Sequence, residues 1–324
     1  MSFLVIEPGF LSTIQDGGRS AFQRFGVPPS GAMDWYAFSA ANQLVDNTIN
    51  AAALEFNALG PVLLSQQDCL IAVTGHGVRL WVNEKEFPAW MSVFVREGTM
   101  IHVEKLDRGA WGYLAVAGGF EVPSVMDSRS TYLRANLGGF KGRTIQAGDS
   151  LSIGTSMADL STAAGREFTP EYRPSYSQSP TLRIILGPQQ DHFSAKGIQT
   201  FLTQEYTVQE HSDRMGYRLE GTAIEHLGSA DIISDGIITG SIQVPANGQP
   251  IIMMADHQTT GGYPKIGAVI RADLPLLAQC PPGSAVRFCS VNPQTAVTVY
   301  RSLINHLLKP KWSSSETFID HMRA

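Results

Sequence analysis

Ile251-Ile252-Met253-Met254-Ala255 runs directly into Asp256-His257-Gln258-Thr259-Thr260-Gly261-Gly262-Tyr263-Pro264-Lys265. The first five residues form a short, continuously apolar run, which reads as a buried strand. The next ten place two charged residues, a histidine, two threonines and a tyrosine around a Gly-Gly turn. A polar cluster at the end of a rigid strand is where binding and catalytic groups are commonly held. The same pattern of short apolar runs punctuated by glycine recurs along the chain and sets the expected fold. Gly98-Thr-Met-Ile-His-Val103, Gly148-Asp-Ser-Leu-Ser-Ile153 and Gly283-Ser-Ala-Val-Arg-Phe288 each start on a turn glycine and then alternate apolar and polar. A period of two is the mark of a half-buried strand. Leu70–Thr74, Leu114–Ala117 and Leu182–Leu186 add further strands. With 31 glycines and 18 prolines, the expected architecture is mainly β with a few short helices.

Three helices are expected. Asp34 caps one that runs to about Asp46. Asp191 caps a short one toward Phe201. Asn292-Pro293 opens the third, whose apolar stripe of Val297, Tyr300, Ile304, Leu307 and Leu308 is expected to pack in the core. The Ser-, Thr- and Pro-rich stretch 155–180 lacks periodicity and reads as a linker or excursion. The expected domains are therefore 1–154 and 181–324, both strand-rich.

Length, charge and composition narrow the function. The chain has 324 residues, 43% of them apolar, enough for a core in each half. A formal net charge of −5 and the lack of basic runs interleaved with aromatics argue against nucleic acid. No apolar run approaches the roughly 18 residues needed to span a bilayer, so no membrane association is expected. The N-terminus lacks the features of a secretory signal. Cys69, Cys280 and Cys289 follow no metal or redox spacing and are expected to be free thiols of a cytoplasmic protein. There is no phosphate-binding G-x-x-x-x-G-K-[ST] motif, no G-x-S-x-G elbow and no H-E-x-x-H pair; no residue is assigned as a metal ligand.

Polar constellations remain at Thr13-Ile14-Gln15-Asp16-Gly17-Gly18-Arg19, at Pro29-Ser30-Gly31-Ala32-Met33-Asp34, at Asp213-Arg214-Met215-Gly216-Tyr217-Arg218 and at Gln258–Pro264. Together with Ala117-Gly118-Gly119-Phe120 and Ser128-Arg129-Ser130-Thr131, and in the same order, they resemble the family of the C-type 5-oxoprolinase subunits. This is also the biotin-dependent carboxyltransferase-like, or urea amidolyase-related, family. The resemblance spans about residues 3 to 291. It implies paired cyclophilin-like β-barrels. It also implies assembly with proteins like the A-type and B-type 5-oxoprolinase subunits, giving an enzyme that opens the lactam 5-oxoproline to L-glutamate. ATP with Mg²⁺ would be shared with those partners. The same resemblance leaves two alternatives. One is the acceptor half of a urea-type carboxyltransferase, with biotin carried by another protein. The other is a non-enzymatic antagonist of a kinase inhibitor. The older family name, allophanate hydrolase subunit 2, fits poorly, because no Ser/Ser/Lys amidase pattern is present.

Residues are nominated on physical grounds at these motif positions. Activating an amide needs cations near phosphate and carboxylate oxygens, together with a carboxylate base. Lys265, Arg19 and Arg214 supply charge; Asp256, Asp16 or Asp273 stands as base or holds Mg²⁺. Asp34, Gln243, Gln258, Thr259, Thr260, Gly261, Gly262 and Tyr263 complete the expected substrate- or nucleotide-binding set. Lys265 is expected to face a cleft or to pair with an acid, Asp256 and Asp273 being nearest in sequence.

Overall fold

A computed structural model describes residues 2–104, 108–156, 160–310 and 312–314. The chain divides into two compact units. One comprises residues 1–19, 34–174 and 305–324; the other comprises 20–33 and 175–304.

The first unit is built from two antiparallel sheets. One sheet has six strands, in the order Ser150–Ser152, Ser2–Glu7, Val62–Ser65, Met100–Val103, Leu80–Val82 and Lys85–Phe87. The other has five, in the order Thr13–Gln15, Ala53–Asn57, Trp111–Val116, Cys69–Gly75 and Ser92–Val95. Alternation directs Phe3, Val5, Leu54, Phe56, Leu63, Ile71, Val73 and Ile101 into one core. Each such side chain contributes about 1.5–3 kcal/mol on burial. Strand Cys69–Gly75 is buried at every position, because its second face lies under the helix Trp35–Leu44. That double cover explains why the strand reads as an unbroken apolar run. Asp34 caps this helix as expected, its Oδ1 accepting from the Ala37 amide at 2.9 Å.

The second unit is a closed seven-stranded barrel. Its strand order is Thr181–Leu186, Lys265–Val269, Ser241–Gln243, Ile251–Met253, Gly216–Gly221, Tyr206–Val208 and Ala285–Ser290. The last strand returns to the first by a parallel pairing, Thr181↔Arg287 through Ile184↔Ser290. Closure removes the exposed edges that an open sheet would present. The turn glycines Gly98, Gly148 and Gly283 all have φ between 78° and 87°, with open space where a Cβ would sit. The strand-opening pattern seen in sequence is thus a repeated left-handed turn.

Three helical expectations need correction. The helix near Phe201 spans Ala195–Thr203 and is capped by Ser194, whose Oγ accepts from the Gly197 amide at 2.9 Å. Asp191 instead lies in a single 3₁₀ turn, Gln190–His192. A short helix, Leu274–Ala278, went unforeseen. The helix Pro293–Leu308 forms as expected, but its apolar stripe is not core: Leu307 is buried, whereas Val297 and Leu308 are exposed. Within 155–180, Arg166–Phe168 forms a strand that pairs with Trp312–Ser314, and Phe168 is fully buried.

Candidate functional site

The barrel ladder itself brings Arg214 and Asp256 together. Strand Gly216–Gly221 pairs antiparallel with Ile251–Met253, with Gly216 opposite Met253. The hydrogen bonding continues beyond the strand ends: Met254 N donates to Met215 O at 3.0 Å, and Asp256 N to Arg214 O at 2.7 Å. Asp213 shapes the turn before the strand, its Oδ1 accepting from the Met215 and Gly216 amides at 2.8 and 3.2 Å. The Arg214 and Asp256 side chains then meet as a fork. Nε donates to Oδ2 at 2.8 Å and Nη2 to Oδ1 at 3.0 Å. The Arg214 and Asp256 side chains are only 6% and 7% exposed. Arg214 Nη2 also donates to Gly31 O at 2.8 Å, and Ser30 N donates to Ala255 O at 3.0 Å. The Pro-Ser-Gly motif is therefore fastened to this pair. Ser30 holds a left-handed φ of 52°, an uncommon conformation for a residue other than glycine, and one found often at functional sites.

His257 follows, fully buried. Its Nδ1 lies 2.6 Å from Gln258 O, so that nitrogen carries the proton and donates. Burial lowers its pKa, against smaller raising effects of the Gln258 carbonyl and Asp256; the ring is neutral at pH 7. It was not among the nominated residues. Its place next to Asp256, on the same apolar-to-polar junction, was the available signal.

Lys265 opens its strand opposite Gln243, beside a register shift between Ile242 and Gln243. Its side chain is buried, yet Nζ donates to Asp235 Oδ2 at 2.6 Å and to Gly236 O at 3.1 Å. The acid is thus Asp235, not Asp256 or Asp273. Asp235 is 51% exposed, and its carboxyl is held below the usual range, chiefly by the Lys265 hydrogen bond. Gln189 bridges the two: its Oε1 accepts from the Lys265 amide at 3.3 Å, and its Nε2 donates to Asp235 Oδ2 at 3.1 Å. Gln243 Nε2 donates to Tyr263 O at 3.4 Å. Thr260 and Gly261 pair with Gly236 and Asp235 in a two-stranded ribbon. A Cβ on Gly261 would lie 2.6 Å from Gln243 Nε2, so this close approach suits glycine. Thus Gln243, Thr260, Gly261, Tyr263 and Lys265 do gather at one place. Gln258 is exposed, and Thr259 and Gly262 are partly buried. Thr259 O accepts from Ile237 N, and Gly262 O from Ile232 N.

The other nominees take different partners. Asp273 is buried and is held by Arg183, whose backbone N and Nε both donate to Oδ2, at 2.7 and 2.9 Å; Nη2 reaches Oδ1. Asp16, in the other unit, accepts on Oδ1 from Gly18 N and from the Ser128 and Ser130 hydroxyls, at 2.8, 2.7 and 2.5 Å, and on Oδ2 from Arg129 N. Arg19 is fully buried and donates to the Val125 and Ser130 carbonyls. Two motifs separated by over a hundred residues are therefore one knot. Asp34 is a helix cap, and its amide donates to the Tyr113 hydroxyl at 2.7 Å, which in turn donates to Glu55 Oε2 at 2.9 Å. All three cysteines are free; burial pushes the Cys69 thiol up to about 11 and the Cys280 thiol up to about 12. Among the described residues, no helix is long and apolar enough to cross a membrane.

Comparison with known proteins agrees with this architecture. Residues 25–290 match the family described as carboxyltransferase domain, subdomain A and B. The chain is 40% identical over 290 residues to the C-type 5-oxoprolinase subunit of Haemophilus influenzae, covering 90% of this chain and 91% of that one. It is 37% identical over 290 residues to the C-type 5-oxoprolinase subunit of Escherichia coli, covering 89% and 91%. The crystal structure of the Kluyveromyces lactis urea amidolyase superposes with a TM-score of 0.89 at 28% identity. That match covers 94% of this chain but 20% of the larger one. The chain therefore belongs to the carboxyltransferase subdomain A and B family, in which the C-type 5-oxoprolinase subunits and the urea amidolyases are its relatives.

Proposed function

We propose that this chain is a non-autonomous subunit of an ATP-dependent 5-oxoprolinase, working with partners like the A-type and B-type subunits of that enzyme. The observation that carries this reading is the 37–40% identity, over about nine-tenths of both lengths, to two proteins named as C-type 5-oxoprolinase subunits. The chemistry to be achieved is demanding, because a lactam carbonyl is a poor electrophile. Transfer of the γ-phosphoryl group to the lactam oxygen releases ADP and leaves an O-phosphorylated imidate. Water adds to that carbon, opening of the C–N bond with protonation of nitrogen gives the acyl phosphate of glutamate, and a second water displaces inorganic phosphate to yield glutamate.

The residues of this chain fit one share of that work. Among the described residues, no group of three His, Cys, Asp or Glu side chains is placed to hold a metal ion. Both oxygens of Asp16, Asp256 and Asp273 are engaged by donors of this chain. These carboxylates do not fit Mg²⁺, and the nucleotide and its metal are assigned to the partners. Asp256 is also committed to the Arg214 fork through both of its oxygens. Asp256 and Arg214 accordingly act as a rigid pair that orients the Ser30-Gly31 loop and His257. Lys265, with Gln243 and the Thr259–Tyr263 turn, supplies the cation and amide groups that receive an anionic substrate.

A second reading is favoured by the family match and by the superposition on urea amidolyase: the acceptor half of a biotin-dependent carboxyltransferase, with biotin on another protein. Purification with co-expressed partners, followed by ATP-coupled assay with 5-oxoproline, separates the two. Turnover only by the assembled complex supports the proposal. Full turnover by the lone chain removes the non-autonomous part, and biotin-dependent carboxylation of urea without 5-oxoproline turnover replaces the proposal by its rival.

A further inference from the structure

The two buried cations of the barrel are paired in contrasting ways. Arg214 and Asp256 are equally buried, as a structural ion pair is. Lys265 is 6% exposed, but its acid, Asp235, is 51% exposed and belongs to a different kind of element. Asp235 and Gly236 form one side of the small ribbon, and Thr260 and Gly261 form the other. The ribbon is extended by the Ile232 N to Gly262 O and Ile237 N to Thr259 O hydrogen bonds, at 2.8 and 3.0 Å. Of its large apolar side chains Ile237 is buried, but Ile233 is 95% exposed, Ile238 is 63% exposed and Tyr263 is exposed. An element with so few buried apolar contacts opens at low free energy.

Beneath the ribbon the donors are fixed. Lys265 sits on a barrel strand. The backbone N–H of Lys265 holds Gln189 Oε1, which turns the Gln189 amide NH₂ toward the same Asp235 oxygen that Lys265 Nζ contacts. Two convergent donors, an ammonium and a primary amide, thus meet on one carboxylate oxygen. This is the donor set that a small carboxylate requires. The occupant, Asp235, is half-exposed and belongs to that ribbon.

We propose that Lys265 and Gln189 form a receptor for a small-molecule carboxylate, and that Asp235 fills that receptor in the free chain. A ligand carboxylate takes the place of the Asp235 carboxylate when the ribbon lifts, which restores an anion to the ammonium. The identification of that ligand as 5-oxoproline rests on the function proposed above.

The test uses the full chain and three probes: 5-oxoproline, the same ring without its carboxylate (2-pyrrolidinone), and acetate. Removing the internal competitor with Asp235→Ala is expected to tighten 5-oxoproline binding about tenfold, the factor expected if the receptor is free about one-tenth of the time. It is also expected to leave 2-pyrrolidinone binding unchanged. Amide hydrogen exchange at Ile232 and Ile237 rises in the same variant, and adding Lys265→Met abolishes the gain in affinity. A gain for acetate without one for 5-oxoproline upholds the receptor and removes the lactam reading. Equal effects on 5-oxoproline and 2-pyrrolidinone overturn the receptor. So does a drop in thermal stability with unchanged affinity for all three probes, which would mark Lys265–Asp235 as a structural pair.

Discussion

Replacing Arg214 by alanine leaves the Asp256 carboxylate buried after removing both of its guanidinium donors, at 2.8 and 3.0 Å. Breaking a buried pair by deleting one partner costs about 3–5 kcal/mol, most of it the penalty of the stranded charge. The lost bond to Gly31 O adds about 1 kcal/mol. Arg214→Ala is therefore expected to lower stability by about 4–6 kcal/mol. At about 2–4 °C per kcal/mol for a unit of this size, the melting temperature falls by roughly 8–24 °C. Urea unfolding, with the midpoint and the slope fitted separately, measures the change. The pair Arg214→Met with Asp256→Leu is the control. Exchanging both charges for apolar groups of similar length is often neutral or stabilising, so the double variant is expected to recover most of the loss, falling short by about the Gly31 contribution. A loss below about 1 kcal/mol in Arg214→Ala, the value typical of an exposed pair, would refute the reasoning, as would a double variant no more stable than the single one.

Three other outcomes are expected. Lys265→Ala in the assembled complex lowers turnover by on the order of a hundredfold, the scale of losing one charge-stabilising group; unchanged turnover per folded molecule would leave the lysine a structural role. His257 makes stability depend on pH in a defined direction: its pKa is lowered in the folded state by burial, so below about pH 6.5 the unfolded chain binds the extra proton first. The full contribution is present above about pH 6.5 and is lost as pH falls toward the folded value, at up to about 1.4 kcal/mol per pH unit. Comparing urea midpoints at pH 7.5 and 5.5 in the wild type and in His257→Gln checks this, the slope shrinking in the variant. Gly112→Ala would place a Cβ 2.3 Å from the Phe56 ring, within the core between sheet strands, and is expected to cost about 1–3 kcal/mol; a thermal melt indistinguishable from wild type would contradict that packing.

Local pattern was enough to read much of the fold. Alternation in Gly98–Val103 and the apolar run Leu70–Thr74 placed strands because side-chain period and burial are properties of a few neighbouring residues. The Asp34 cap was legible for the same reason, since a capping carboxylate bonds an amide three residues on. The stripe from Val297 to Leu308 misled because periodicity shows that a helix has an apolar face, not that something covers it. The motifs at 13–19, 29–34, 213–218 and 258–264 marked where polar groups are concentrated, and adjacent strands set Lys265 opposite Gln243.

What only the tertiary structure decided is which charge meets which. Lys265 was nearer in sequence to Asp256 and Asp273, yet strand pairing delivers Asp256 to Arg214, 42 residues earlier, and Asp273 to Arg183, 90 residues earlier. A ribbon carries Asp235 to Lys265 across 30 residues. Sequence determined the residue types and the strands that hold them. The partners were set by barrel register and loop closure, because an ion pair forms between groups a few ångströms apart in space, and separation along the chain carries almost no information about that distance.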